Sequence, residues 1–450
     1  MSDQVVVGFI SLGCAKNLVD SEVMLARLAE AGCAVTGDLA QADVIVVNTC
    51  GFLAAARDEA LDAIDEAAGH RQTGRCRRLV VVGCLVQRDR HRLKQEIPAI
   101  DVLLGVNQRD DIVQAVLTPH PPERQPISDH TPCTMPSDTA RLRLTPRNYA
   151  YLRIAEGCNQ QCTFCTIPLI RGPTRSKPLD VVLDEARELV ADGAMELNVI
   201  AQDTTAYGRD LDNAPGLPDL LRRLNDLEGV AWIRLMYAYP RHFDHAIIDA
   251  LAECERIVDY VDLPLQHIND RILRRMGRRV ARSDIEALLD RLRTRIPHIA
   301  IRTTLMVGFP GETDAEFDEL HDFVRKARFD ALGVFVYSHE PETPAARLTD
   351  HLPEHVKQQR RDAIMQTQQA IAFANADAMV GRRLTLLAER TEPDGRLIAR
   401  HPGQAPEVDG VVVVNRTPPG SGPLLEAQCI AHEGYDLIAE PTGGILPSGT

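Results

Sequence analysis

Three cysteines with unusually tight spacing, Cys158, Cys162 and Cys165, lie in the run from Glu156 to Cys165. A four-iron, four-sulfur cluster is ordinarily held by four Cys thiolates, so three in one short loop leave one iron without a protein ligand and open to a small molecule. A structural zinc site would close with a fourth Cys or His at regular spacing, and this loop has none. Phe164, between the last two ligands, would either stack on a bound adenine ring or shield the cluster from water.

Cys14, Cys50 and Cys84 form a second set, because each follows a strand-like run: Val5 to Ile10, Val44 to Asn48 and Leu79 to Gly83. In an open parallel sheet, ligands collect beyond the carboxyl ends of the strands, so these three thiols can converge and hold a second cluster. A single free Cys is more often a small buried hydrophobe. Three at one topological position, beside Gly13, Thr49, Gly51 and Gly83, point to metal ligation instead. Cys33, Cys76, Cys133, Cys254 and Cys429 share no such pattern and are expected to be structural.

The elements that must position these groups follow from periodicity. Within residues 1–118 the runs Val5 to Ile10, Val44 to Val47, Leu79 to Val82 and Val102 to Leu104 alternate with helical stretches, which predicts a doubly wound parallel α/β domain. Residues 119–146 contain seven prolines, from Pro119 to Pro146, and little apolar periodicity, as in an interdomain linker. Residues 147–378 hold six strand-like runs in series with helices: Ala150 to Ile154, Leu197 to Ile200, Trp232 to Tyr237, Val258 to Leu263, Ile299 to Val307 and Leu332 to Tyr337. These predict a partial (β/α)6 barrel, with the Cys158 loop at the carboxyl end of its first strand, where such barrels place chemistry. After a polar helical stretch from Glu354 to Val380, residues 379–445 carry short strands at Leu384 to Ala388, Leu397 to Ala399, Val411 to Val414 and Tyr435 to Ala439, the pattern of a small β-barrel.

Composition narrows the class. With 44% hydrophobic and 25% charged residues the chain is an ordinary multidomain globular protein, and its net charge of −14 argues against broad nucleic-acid binding while permitting a basic protein partner. No apolar run reaches membrane-spanning length and no cationic leader is apparent, so a cytoplasmic enzyme is expected. Eleven cysteines without a secretion signal fit metal or redox use better than a disulfide framework.

Several segments together carry a family resemblance: Ser11 to Asn17, Asn48 to Phe52, Gly83-Cys84, Tyr151 to Gly172, Ala201 to Thr205 and Val307 to Glu312. Over essentially its whole length the chain resembles the methylthiotransferases of the radical S-adenosylmethionine superfamily, specifically the RimO type, which act on a ribosomal protein. The resemblance implies that Cys158, Cys162 and Cys165 hold a [4Fe-4S] cluster that binds and reductively cleaves S-adenosylmethionine, producing a 5′-deoxyadenosyl radical. It implies equally that Cys14, Cys50 and Cys84 hold an auxiliary [4Fe-4S] cluster concerned with sulfur, and that the third domain is a TRAM domain. The substrate so implied is the β-carbon of an aspartate in small-subunit ribosomal protein twelve, with an electron donor as a further partner.

Relatives in the same family modify adenosine in transfer RNA. The Gln202 to Gly208 segment resembles the protein-modifying branch, whereas the transfer-RNA branch typically reads Gln-Asn-Val-Asn-Ser-Tyr. Charge agrees, because Gly381 to Glu440 contains six Arg, no Lys and nine Asp or Glu, and an RNA-gripping module should be basic. The basic runs Arg71 to Arg92 and Arg271 to Arg282 are expected to be solvated helix faces, with ribosomal RNA contact as the functional alternative. A noncatalytic iron–sulfur carrier is a third reading, but a carrier would normally complete each cluster's coordination. Among other polar residues, Gln202, Asp203, Gln266 and Arg302 are expected to line the cofactor or substrate cavity. Gly308 and Gly311 would allow close backbone approach, Glu312 would cap the following helix, and Arg171 would pair either with the target carboxylate or across a domain interface.

Overall fold

In the computed structural model, which describes residues 4–118, 135–416 and 422–445, the Val-rich runs of the first domain become parallel strands. These are β1 (Val6–Ser11), β2 (Ala34–Thr36), β3 (Val44–Thr49), β4 (Arg78–Gly83) and β5 (Val102–Leu104), in the order β2-β1-β3-β4-β5. β2 is an addition to the four expected strands. It is a three-residue edge strand whose Val35 is exposed, so no continuous apolar run announces it. Helix α1 (Ala15–Glu30) packs Met24 and Leu28 on one sheet face, while α2 (Ala54–Thr73) and α3 (Cys84–Glu96) pack Ala60, Ile64, Leu85 and Leu93 on the other. Both faces are thereby covered, and the all-buried β3 reads as a continuous apolar run for that reason.

The central domain is an open sheet of six parallel strands in sequence order: β6 (Tyr149–Arg153), then, after the short strands β7 (Ala155–Glu156) and β8 (Arg175–Ser176), β9 (Glu196–Ile200), β10 (Trp232–Leu235), β11 (Ile257–Asp262), β12 (Ala300–Val307) and β13 (Ala331–Val336). β7 and β8 pair antiparallel and form a neck that pins the base of the Cys158–Cys165 loop. Along β6, Ala150 and Leu152 face the helical layer, whereas Tyr149 and Tyr151 face the opposite, concave side.

Helix Glu354–Met379 leads to a closed barrel in the order β14-β15-β16-β18-β17, formed by β14 (Arg383–Thr391), β15 (Leu397–Arg400), β16 (Val412–Val414), β17 (Leu424–Glu433) and β18 (Asp436–Ile445). β17 escapes the sequence pattern because its inward positions include small residues: Leu425, Ala427 and Cys429 are buried and alternate with polar neighbours. The loop from His401 to Asp409 covers the concave face of the central sheet. Glu407 accepts hydrogen bonds from the Tyr149 and Tyr151 hydroxyls, both at 3.1 Å, Asp409 accepts from the Tyr260 hydroxyl at 2.9 Å, and the Pro402 carbonyl accepts from Arg234 at 2.7 Å.

The linker expectation needs correction over its second half. Residues 119–134, with five of the prolines and Cys133, lie outside the described residues. Residues 135–146, however, are packed rather than free: Asp138 is fully buried against Arg153, Lys177 and Arg109, and Arg141 donates to the Tyr151 carbonyl at 2.9 Å. Absence of periodicity marked a strap held by ion pairs instead of a spacer. The other four patternless cysteines, Cys33, Cys76, Cys254 and Cys429, are buried.

Candidate active site between two cysteine trios

Helix α1 begins where β1 ends, with Cys14 as its N-cap, and α3 begins at Cys84 directly after β4. Helix N-termini favour anionic sulfur. The strand order reverses between β1 and β3, so Cys14 and Cys50 flank the switch point where open α/β sheets bind ligands. Gly13, at φ +96°, allows this approach: a Cβ there would stand 2.9 Å from Cys50 Cβ. Desolvation pushes the Cys14 thiol up, but Lys16 and Arg171, together with the Asn17 and Lys16 backbone N–H groups, outweigh it and leave the thiol below its usual range. Burial pushes Cys50 up, and takes Cys84 up to about 12.

In the second trio the loop is held by its own backbone. Cys158 N donates to Gly172 O at 3.1 Å and Thr163 N to Met276 O at 2.9 Å, while a Cβ on Gly157, at φ +79°, would meet Pro173 O at 2.1 Å. Each sulfur faces a donor: Gln160 N at 3.4 Å from Cys158 Sγ, Ile167 N at 3.4 Å from Cys165 Sγ, and Arg278 Nη1 at 3.7 Å from Cys162 Sγ. Such donors stabilise thiolate and tune iron–sulfur centres. Burial pushes Cys158 up to about 12 and Cys165 up as well, so metal binding here would displace protons. Among the described residues no three Cys, His, Asp or Glu side chains are close enough to chelate one metal ion. The donor set, three thiols faced by two backbone N–H groups and one guanidinium, fits an iron–sulfur cluster.

The two trios are joined through one short helix. Ile167–Arg171 starts two residues after Cys165 and ends on Arg171, whose Nη2 lies 3.2 Å from Cys84 Sγ and also donates to Asn17 Oδ1. Arg171 Nη1 donates to Glu156 at 2.7 Å and Asp20 at 3.2 Å. Arg171 is therefore the interdomain ion pair of the two alternatives considered for it, with both terminal nitrogens engaged. A second tie runs from Glu340, after β13, which accepts from Ala54 N at the start of α2 (2.9 Å) and from Arg88 (2.7 Å). Arg88 in turn donates to the Gly51 and Phe52 carbonyls beside Cys50, at 2.8 and 3.3 Å.

Other expected residues divide. Gln202 donates to Glu156 at 2.9 Å, and its buried Oε1 has no partner among the described residues, leaving an acceptor open in the cleft. Asp203 accepts from Gln160 at 2.8 Å, which ties β9 to the Cys158 loop. Gln266 sits at φ +73° and bridges to Leu305 through its backbone. Phe164 packs, half-buried, on the cluster of Met276, Met306, Phe309 and Tyr337, so it is at least a shield. Arg302 lies on the concave face but is engaged by Asp262 and Asp409, 3.1 and 3.2 Å away, which makes it a tie to the C-terminal barrel. A Cβ on Gly308 would strike the Lys357 side chain at 2.4 Å, so helix Glu354–Met379 explains that glycine.

Glu312 is not a helix cap. Thr313 caps helix Asp314–Ala327 with Glu316 in a capping box, while Glu312 turns inward to Arg360 at 2.9 Å and His267 at 3.2 Å. The basic runs are substantially paired: Arg71 with Asp101, Arg92 with Glu96, Arg271 with Glu316, and Arg282 with Glu286 and Glu319. Sequence reasoning missed Glu340, Asp138, Tyr237 and Tyr239. Only the position of the tyrosines after a barrel strand could have flagged them.

Family models match residues 6–105 (uncharacterized protein family UPF0004), 152–324 (radical SAM superfamily) and 380–441 (TRAM domain). The chain is 47% identical over 430 residues to the ribosomal protein uS12 methylthiotransferase RimO of Anaeromyxobacter sp. (strain K), covering 95% of this chain and 91% of that one. It is 43% identical to the RimO of Geobacter sulfurreducens, covering 96% and 98%. Among solved structures, the radical S-adenosylmethionine methyltransferase TsrM from Kitasatospora setae, with cobalamin and a [4Fe-4S] cluster bound, is similar at a TM-score of 0.54 and 17% identity over 77% of each chain, a likeness of fold. Two cysteine trios at the mouth of a radical SAM sheet, a C-terminal TRAM barrel and full-length similarity at this level place the chain in the RimO family of radical SAM methylthiotransferases.

Proposed function

We propose that this methylthiotransferase modifies ribosomal protein uS12 at the β-carbon of an aspartate, with Cys158, Cys162 and Cys165 holding the [4Fe-4S] cluster that binds S-adenosylmethionine and Cys14, Cys50 and Cys84 holding a second [4Fe-4S] cluster. When bound, the first cluster and S-adenosylmethionine supply a radical strong enough to take hydrogen from an unactivated carbon, chemistry beyond any side chain. The chain's own residues supply position. One guanidinium, Arg171, contacts Cys84 from the helix that follows Cys165, and this observation carries the reading because it brings both trios to one cleft.

Water exclusion comes from the apolar shell around the loop, with Phe164 half-buried and Phe309 and Tyr337 fully so. The acidic C-terminal barrel suits a basic ribosomal protein better than RNA, and the pairing of Arg271 and Arg282 with carboxylates weakens the case for that run as a ribosomal RNA surface. Among the described residues no helix is long and apolar enough to cross a membrane, and the proposed site of action is the cytoplasm, with a reductant protein as electron donor.

The test is anaerobic reconstitution of wild type and two triple variants, Cys14/Cys50/Cys84→Ala and Cys158/Cys162/Cys165→Ala. Wild type should bind two clusters' worth of iron, and each variant half. The first variant should release deoxyadenosine from S-adenosylmethionine yet leave a uS12 peptide unmodified by mass spectrometry, and the second should do neither. Methylthio addition to a transfer-RNA anticodon stem in preference to the peptide would overturn the substrate assignment.

A further inference from the structure

Lys16 is a cation of the cleft for which the ion-pair network of the described residues provides no carboxylate. It lies two residues after Cys14 in the first turn of α1 and is 7% exposed. Arg109, Arg153, Arg171 and Lys177, buried around the interface, face carboxylates, whereas Arg278, also buried, faces Cys162 and the Tyr239 ring. Among the described residues Lys16 forms no salt bridge: its Nζ lies 3.2 Å from the centroid of the Tyr237 ring. The groups beside it are the Tyr237 ring and the Cys14 thiol, whose ionised form it favours, so among the described residues no carboxylate pairs with this buried ammonium, and a ring face offsets only part of the cost of burying it.

The placement is specific. Ala15 and Val19, the neighbours of Lys16 on α1, pack with Tyr151, Ile200 and Met236, so the first turn of α1 docks at the carboxyl ends of β6, β9 and β10. Tyr237 follows β10 and is held at φ +56°, a strained backbone for a bulky residue, with its N–H donating to Asp262 at 3.1 Å. Two residues on, the Tyr239 ring lies 4.0 Å from Arg278, the guanidinium that faces Cys162. One loop thus presents Tyr237 beneath Lys16 on the side of Cys14, and Tyr239 beneath Arg278 on the side of the other trio. Lys16 and Arg278 stand on two tyrosines of one loop, Lys16 two residues from Cys14 and Arg278 facing Cys162.

We infer that Lys16 binds the side-chain carboxylate of the substrate aspartate, and that it is the residue by which this enzyme distinguishes aspartate from its neutral analogues. The inference rests on the proposed uS12 substrate. Arg171, the other cation considered for that role, has both terminal nitrogens engaged within the protein. A lysine ammonium is a compact point charge on a flexible stem, so it can follow the carboxylate while the adjacent carbon is attacked.

The experiment measures binding of a fluorescent uS12 loop peptide, with Asp or with Asn at the modified position, to the reconstituted full-length protein. Wild type, Lys16→Gln and Lys16→Arg are compared, with iron content checked for each. Wild type should prefer the Asp peptide by roughly tenfold to a hundredfold, the range of a charge-assisted hydrogen bond. Lys16→Gln should lose affinity for the Asp peptide alone, collapsing the ratio, and Lys16→Arg should restore part of it. An unchanged Asp-to-Asn ratio in Lys16→Gln, or an equal loss on both peptides, would overturn the role of Lys16 while leaving the uS12 assignment intact. Failure of wild type to bind or modify either peptide would overturn both.

Discussion

Replacing Glu340 by Gln should loosen the Cys14, Cys50 and Cys84 site without touching any cysteine. The Glu340 carboxylate is fully buried and accepts from Ala54 N, Ser338 Oγ and Arg88 Nη2 at 2.9, 2.6 and 2.7 Å. Its partner Arg88, 3% exposed, carries the Gly51 and Phe52 carbonyls that follow Cys50. Breaking a buried pair by removing one charge costs about 3–5 kcal/mol. Arg88 keeps a second, partly exposed partner in Glu342, and the amide oxygen of the introduced glutamine can still accept from Ala54 N, so about 2 kcal/mol is the expected local loss. Hydrogen exchange at the start of α2 and in the Cys50 loop should then speed up by roughly 30-fold, since 1.36 kcal/mol is tenfold in an equilibrium constant. Iron bound by the second centre should fall, and methylthio product with it, while deoxyadenosine release persists. Exchange and product yield equal to wild type would refute the idea that this contact across the interface holds the Cys50 loop.

Buried charge sets three further outcomes. Asp138→Asn removes the carboxylate shared by Arg153, Lys177 and Arg109 and should cost about 3–5 kcal/mol, visible as a lowered denaturation midpoint, whereas exposed Asp184→Asn should shift it little. Arg171→Lys cannot reach Glu156, Asp20, Asn17 and Cys84 at once, so Cys84 loses a cation that favours its thiolate, alkylation of Cys84 in cluster-free protein should slow and iron loading of that centre should fall; unchanged alkylation would count against the contact. Burial, with Arg234 and Arg400 nearby, lowers His401 to about 4. Because the unfolded chain takes up that proton near its ordinary value of about 6.5, the stability His401 contributes is complete above that pH and is lost as pH falls through about 4. Thermal denaturation between pH 7 and 4 should show a decline that His401→Gln reduces.

Much of the site was legible because its signals are local. Cys-x3-Cys-x2-Cys is a feature of one loop, and Cys14, Cys50 and Cys84 each stand at the end of a Val-rich run, so their type and their position in a parallel sheet could be read directly. Strands with continuous apolar runs, β3 and β4 above all, are buried on both faces and announce themselves. β17 does not, because its interior is built partly from Ala and Cys. Glu312 shows the limit of local rules: acidic and next to a helix start, it fits a cap, yet Thr313 takes that place and Arg360 draws Glu312 inward.

By itself, then, the sequence determined the candidate ligand types, the three-domain order and the family, since these depend on spacing within a few residues and on strand periodicity. Only the tertiary structure decided what meets what. Arg171 reaches Cys84 across 87 positions and Asn17 across 154, and Glu340 reaches Ala54 across 286. Partners at such separations are chosen by the packing of whole domains, which places one cation against another domain's carboxylate and leaves Lys16 without one. No pattern along the chain encodes that choice.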